Sequence, residues 1–345
     1  MRNVTAAEDR SRARGARVER GATAVVGAGI SGLALARRTA ASAAAVVVID
    51  KGRRPGGRAS TRGEGAAAFD HGAQYLTARD PRFAREVESW RRAGVVAEWH
   101  GRIGVLAHGQ ATASSGGTRR FVGVPGMHAV ARHLARGLDV RCGERVTRLS
   151  GAPGAWRLAL ASGAELGPFA RVVVSAPPPQ SAELLRGAAP ALATRLAAAR
   201  VRPCWAVLAE FERALPVELD GAFVPGSPLA WIAREASKPE RAPGERWILH
   251  AAPDWSEARA ALAPERAVAL LLDALAGALG APLPSVRIAT GHLWRHATPE
   301  PALDEPYLFD DDLGIAVCGD ALGGPRIEGA WLSGTALADA LRVGT

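Results

Sequence analysis

The chain has 345 residues, of which 48% are hydrophobic, and a formal net charge of +9, enough for roughly two domains with a substantial core. Lys51 and Lys238 are the only lysines, so the positive charge is almost all arginine; part of the excess falls in residues 1–20, read as a disordered basic arm. There is no basic stripe interleaved with aromatics, no C-x-x-C pair among Cys142, Cys204 and Cys318, and no uninterrupted apolar span, because Arg37 and Arg38 break the stretch 22–49. Nucleic acid, metal, disulfide framework, export signal and membrane span are therefore set aside, and a reducing cytoplasm is expected.

Ala22–Val26 is a short apolar run that ends at glycine, Ile30–Ala44 has helix-forming composition, and Ala45–Ile49 is a second apolar run that ends at Asp50. Strand, glycine turn, helix and strand make a βαβ unit. A loop rich in Gly, Arg, Ser and Thr follows over 51–64. A helix is predicted over Arg82–Arg92, a strand region over Val95–Val105 and a helix over Gly126–Gly137. Short strands are predicted around Asp139–Cys142, Arg145–Leu149, Trp156–Leu160 and Val172–Val174, with a break at Pro177–Pro179. Residues 180–300 mix strands (Cys204–Phe211, Trp247–Ala251, Val286–Trp294) with helices (Ala182–Leu185, Ala191–Ala199, Ala267–Leu279). A strand at Gly314–Cys318, a glycine-rich turn and a helix over Ala330–Leu341 return to the α/β pattern. The expected architecture is α/β. A discontinuous Rossmann-like cofactor domain is built from 21–80, 118–180 and 306–345, and an inserted α+β substrate domain from 81–117 and 181–305.

Gly27-Ala28-Gly29-Ile30-Ser31-Gly32 follows a strand and opens a helix, the context a dinucleotide fingerprint requires. Gly27 permits the tight turn, Gly29 lets backbone approach a pyrophosphate, and Gly32 allows helix and strand to pack closely. The pyrophosphate would rest at the helix N-terminus. Asp50, eighteen residues past Gly32, can accept from ribose hydroxyls. This fingerprint does not separate NAD from FAD. Just beyond it, Pro55-Gly56-Gly57-Arg58 can set backbone N–H groups and a guanidinium against phosphates. Near the other end, in Cys318-Gly319-Asp320, Gly323-Gly324 and Gly329-Ala330-Trp331-Leu332-Ser333-Gly334, a strand ends in Gly-Asp and a helix starts near Gly329.

Gly-Gly-Arg at this point resembles the flavin amine oxidase superfamily. Together with Phe69–Asp80, Val122–Met127 and Cys318–Gly334, the chain is similar to the bacterial renalase-like proteins of that superfamily, most strongly at its two ends. The resemblance implies a p-hydroxybenzoate-hydroxylase-like topology and non-covalent FAD. It implies oxidation of 2- and 6-dihydro-NAD(P) to NAD(P)+ by hydride transfer to flavin N5, with O2 reduced to H2O2. It also implies that Asp320 contacts the pyrophosphate or ribityl chain and that the helix near Gly329, Ala330 and Trp331 points at the flavin. Gln74 and Tyr75 lie in a matching motif and are expected near the flavin; Lys51 and Val146 complete the expected cofactor-contacting set. On the substrate side the candidates are His250 and Trp294, each near the end of a predicted strand. Trp294 can wall the nicotinamide and His250 can bond its carboxamide; a core tryptophan and a structural histidine are the alternatives. Arg234, Lys238 and Arg295 are candidate phosphate contacts that read first as solvated surface charge. Lys238 lies in a Ser-Lys-Pro loop, unlike the flavin-side lysine of many amine oxidases. Other amine or desaturase-like substrates, and flavin binding without turnover, remain alternatives.

Overall fold

The computed structural model describes residues 21–343 apart from 64, 66, 67, 115, 301 and 302. The basic arm of residues 1–20 lies outside the described residues. In chain order the elements are β1 (Thr23–Val26), α1 (Ile30–Ala40), β2 (Val46–Asp50), α2 (Pro81–Arg92), β3 (Val96–Glu98), β4 (Ile103–Ala107), β5 (Gln110–Ala113), β6 (Phe121–Gly123), α3 (His128–Leu134), β7 (Asp139–Cys142), β8 (Val146–Ser150), β9 (Trp156–Leu160), β10 (Glu165–Phe169) and β11 (Arg171–Val174). Then come α4 (Pro178–Leu185), α5 (Pro190–Ala197), β12 (Val201–Phe211), β13 (Gly221–Phe223), β14 (Leu229–Arg234), β15 (Glu245–Ala251), α6 (Pro253–Ala258), α7 (Pro264–Leu279), β16 (Val286–Pro299), β17 (Leu308–Asp310), β18 (Ile315–Val317), α8 (Asp320–Gly323) and α9 (Ile327–Val343).

The first sheet runs β17-β18-β11-β1-β2-β7. β18, β11, β1, β2 and β7 are parallel neighbours, and β17 pairs antiparallel at the edge. Parallel strands covered on both faces need apolar residues at every position rather than alternate ones. Val25, Val48, Ile49, Val172, Val173 and Val174 are accordingly all fully buried. One face meets α1 and α9. These helices approach so closely that a Cβ on Gly334 would overlap the Ser31 carbonyl oxygen. β1 lies between β2, which follows it in the chain, and β11, which arrives much later. The crevice at the carboxyl end of β1 is thus a topological switch point, where such sheets bind ligands.

The second large sheet has the order β16-β12-β15-β14-β13-β4-β5. Strand alternation divides its residues between two environments. Trp205, Val207, Trp247 and Leu249 turn to a core closed by α7 through Ala267, Leu271 and Leu275. The opposite face turns toward the first sheet. Trp231 and Ala233 join the core of that sheet's helices, and Leu208 and Ile248 meet Phe69. β8, β9 and β10 form a separate antiparallel sheet, and β3 pairs with β6.

Several elements differ from expectation at their ends. The first helix stops at Ala40, short of Ala44, and Pro178 opens a helix instead of breaking the chain, since proline suits the first helical turn. β16 runs on to Pro299, and β13 and β14 have no counterpart in the predicted elements. Leu271 is fully buried between α7 and the sheet. Leu271→Ala is expected to lower stability by about 2–5 kcal/mol, read as a reduced urea midpoint with unchanged slope.

Candidate active site

The switch-point crevice is built from three glycine-bearing segments. Gly27 has φ +116, a left-handed conformation that β-branched or bulky residues avoid, and a Cβ there would sit 2.5 Å from the Ser175 carbonyl oxygen. Gly29 is the N-cap of α1 and no side chain caps that end, so its first-turn N–H groups are left for another acceptor. Gly32 sits where a Cβ would overlap the Gly27 carbonyl oxygen. Ile30 and Ser31 are buried in the first turn. Asp50 ends β2 with Oδ2 accepting from the Ala28 N–H and Oδ1 from the Gly52 N–H, both at 2.6 Å. One carboxylate thus ties the glycine turn to β2. Lys51 Nζ donates to Gln180 Oε1 at 2.9 Å, and Val146 opens β8 half-buried against the core behind β2.

The Gly-Gly-Arg segment is laced to this turn, with the Gly56 N–H donating to the Ala28 carbonyl at 2.8 Å and an ideal Cβ on Gly57 lying 3.7 Å from Gly29 Cα. Arg58 forms a two-pronged pair with Asp320, at 2.7 Å on each prong, and donates to the Ala297 carbonyl at 3.0 Å. The guanidinium therefore joins β2's loop, the C-terminal motif and β16. The Gly319 N–H donates to Ser333 Oγ at 2.9 Å. The final helix begins at Ile327, so Gly329 and Ala330 lie in its first turn and Trp331 opens the second, against Phe83 at 5.5 Å between centroids. Cβ atoms placed on Gly29 or Gly319 would meet no protein atom within 4 Å, although the neighbouring glycines are tightly hemmed in. A strip of open backbone, an uncapped helix, a carboxylate and an arginine together fit an extended dinucleotide.

Next to this strip lies the turn Asp70–Gln74, which meets the inner face of the second sheet. The His71 carbonyl accepts from Trp294 Nε1 at 2.9 Å and from His250 Nε2 at 3.1 Å. The His71 ring lies 4.9 Å from that of Trp294 and 5.1 Å from that of His292. Burial pushes the His71 imidazole down to about 3, assisted by His292 and Arg62. Burial likewise pushes His250 down to about 4. The wall is therefore uncharged near neutrality. His292, Trp294 and His250 are partly exposed, whereas His71 is buried.

Behind the turn lies a buried charge cluster. Asp70 accepts from Thr61 Oγ1 at 2.6 Å, the Met127 N–H at 2.9 Å and Arg241 at 2.6 Å, and Lys238 stands 3.5 Å away. Lys238 also donates to Glu235 at 2.8 Å and to Gln74 Oε1 at 3.3 Å. Burial alone would raise the Asp70 carboxyl, but Lys238 and Arg241 hold it below the usual carboxylate range. Burial raises Glu235. Tyr75 packs against Trp231 and Trp99, with Arg120 over its ring at 5.4 Å.

The structure thus brings the sequence candidates into two adjoining groups. Gly27, Gly29, Ile30, Ser31, Gly32, Asp50, Gly57, Arg58, Gly319 and Asp320 form the strip; His250 and Trp294 share one acceptor. It corrects the reading of Lys238 as surface charge: the side chain is fully buried, because three acceptors from two segments replace water around it. Arg234 is tied to Asp220, whereas Arg295 is exposed. His71, His292, Glu235 and Arg241 are additions to the sequence candidates. The i, i+3 and i+6 spacing of Glu235, Lys238 and Arg241 around a short 3-10 turn is a signal for the last two.

Residues 25–90 match the family described as NAD(P)-binding Rossmann-like domain, and residues 105–342 match flavin containing amine oxidoreductase. Among solved structures, a protein assigned as a protoporphyrinogen oxidase from Exiguobacterium sp. 255-15 superposes with a TM-score of 0.76 at 13% identity, covering 95% of this chain and 100% of that one. A putrescine oxidase bound to putrescine superposes with a TM-score of 0.73 at 15% identity, covering 94% and 99%. Two substitutions test the strip and its surroundings. Gly29→Ala leaves the apoprotein's thermal midpoint unchanged and lowers retained FAD, read as flavin per protein and by flavin fluorescence titration. Lys238→Met leaves Arg241 to face two buried carboxylates and lowers stability by about 3–5 kcal/mol in denaturant unfolding. With a fold that carries a nucleotide crevice at β1 and a family match across most of its length, the chain belongs to the flavin-containing amine oxidoreductases, an FAD-dependent oxidoreductase.

Proposed function

We propose that this enzyme oxidises 2- and 6-dihydro-NAD(P), returning them to NAD(P)+, with O2 as terminal acceptor. The observation that carries the reading is the uncharged wall of His71, His250, His292 and Trp294. A flat ring packs well on such a wall. A cationic amine gains nothing from it, since the nearby carboxylates of Asp70 and Glu235 are already engaged by Lys238 and Arg241. Arg62 is exposed and close enough to depress His71 and His292, which favours a substrate carrying negative charge.

In the same proposal residues 21–80, 118–180 and 306–345 carry FAD, and 81–117 and 181–305 carry the substrate. Gly27, Gly29, Ile30, Ser31, Gly32, Gly57 and Arg58 hold the pyrophosphate, with Asp320 orienting Arg58. Asp50, Lys51 and Val146 hold the adenosine end. Gln74, Tyr75, Gly319, Gly329, Ala330 and Trp331 shape the ring end. Bound flavin supplies a two-electron acceptor at N5, and the net reaction turns dihydronicotinamide, O2 and a proton into NAD(P)+ and H2O2. The protein's part is to align the substrate ring on Trp294, keep charge away from it and exclude water.

Anaerobic mixing of the FAD-loaded enzyme with separated 2-, 4- and 6-dihydro isomers tests this. Rapid loss of flavin absorbance with the 2- or 6-isomer, slow loss with the 4-isomer, and peroxide once air is admitted are expected. Bleaching by a primary amine and by none of the isomers would move the reading to amine oxidation. Because His71 and His250 titrate near 3 and 4, both stay neutral above about pH 5, so the reduction rate should show no step near the ordinary histidine value of about 6.5. A step there lost in His250→Leu would mean that the wall carries charge.

A further inference from the structure

Two side chains from adjoining regions of one sheet, His250 on β15 and Trp294 on β16, converge on a single acceptor, the His71 carbonyl. A carbonyl oxygen has two lone pairs and no proton, so each partner must bring an N–H. For tryptophan this is automatic. For histidine it fixes the tautomer: the proton lies on Nε2 and a lone pair is left on Nδ1. Among the described residues nothing donates to His250 Nδ1, and it is not enclosed as His71 Nδ1 is.

The acceptor is held on every side. The Asp70 N–H donates to Glu235 Oε1 at 3.2 Å, the Asp70 carbonyl accepts from Gln74 Nε2, and the Asp70 side chain is fixed by Thr61, Met127 and Arg241. The peptides on both sides of the one that carries the His71 carbonyl are tied: the His71 N–H donates to the Phe69 carbonyl at 3.0 Å and the Ala73 N–H to the Arg58 carbonyl at 2.9 Å.

We propose that His250 is a specificity-determining hydrogen-bond acceptor, locked as the Nε2–H tautomer by the His71 carbonyl, which selects substrates with an N–H donor beside the reacting ring. This rests on the dihydronicotinamide reading, where the carboxamide is that donor. A substrate offering only acceptors sets lone pair against lone pair and leaves Nδ1 unpaired in a desolvated site, the costly side of the hydrogen-bond balance.

The test uses the 2- and 6-dihydro isomers of NAD and of its 3-acetylpyridine analogue, in which a methyl ketone replaces the carboxamide and removes only the donor. The wild-type holoenzyme should prefer the carboxamide in kcat/KM by on the order of tenfold to hundredfold. His250→Leu should bring the two within about threefold, and comparing the ratio between proteins cancels the intrinsic reactivity of the rings. Independently, nitrogen spectra of 15N-histidine-labelled holoenzyme should place the proton of His250 on Nε2, the signal being assigned by its loss in His250→Leu. A proton on Nδ1, or the same preference in wild type and His250→Leu, overturns the proposal. If neither substrate is oxidised, the dihydronicotinamide reading falls and the carboxamide with it, while the nitrogen spectrum still judges the tautomer by itself.

Discussion

Asp70 carries its charge with no access to water, and the meeting of the two large sheets is arranged around satisfying it. Its partners come from three separate stretches: Thr61 before it, Met127 at the entry to α3, and the Lys238–Arg241 segment after β14. Glu235 adds a second buried carboxylate, so two acids face two bases. Such a cluster contributes little net stability over well-packed hydrophobic residues, because each charge has been stripped of water. What it supplies is geometry. Hydrophobic contacts tolerate sliding, whereas a charge-assisted hydrogen bond at 2.6 Å between Arg241 and Asp70 does not. The turn that follows is correspondingly fixed, and it is the turn that presents the His71 carbonyl to the second sheet.

The parts of this arrangement that were legible in the sequence are those whose physics is local. The glycine fingerprint, the Asp50 strand end and the helix after Gly29 announce themselves within about thirty residues, because one turn must reconcile a parallel strand, a helix N-terminus and close backbone packing. The middle strands were found where apolar runs were long, at Cys204–Phe211 and Trp247–Ala251. β13, of three residues, carries no periodic signal; it pairs with β14 just after it and with β4 from more than a hundred residues earlier. Pairing across such distance leaves no local trace.

The same limit explains Lys238. In sequence it stands between Ser237 and Pro239, a setting that favours a surface turn, and a turn is indeed there. The burial comes from Asp70 and Gln74, which a reading along the chain cannot bring near it. Arg58 and Asp320 illustrate the point from the other side. Each was read singly, as a contact to cofactor phosphate or ribityl chain. Folded, they are 262 positions apart in sequence and joined by two hydrogen bonds. The carboxylate fixes the plane of the guanidinium, so an arginine that would otherwise sample many rotamers is oriented before any anion arrives.

Arg58 also grips the Ala297 carbonyl of β16, the strand that carries His292 and Trp294 a few residues earlier. One guanidinium is therefore bonded to the strand that builds the wall and to the acid at the start of α8. A group placed against Arg58 is placed in register with Trp294, with no loop between them to absorb error. Hydride transfer between two stacked rings depends steeply on their separation and angle. In the proposed reaction, β16, bonded to Arg58 at one point and to the His71 turn at another, sets the two rings from a single rigid element, which is a more exact arrangement than two loops positioned independently.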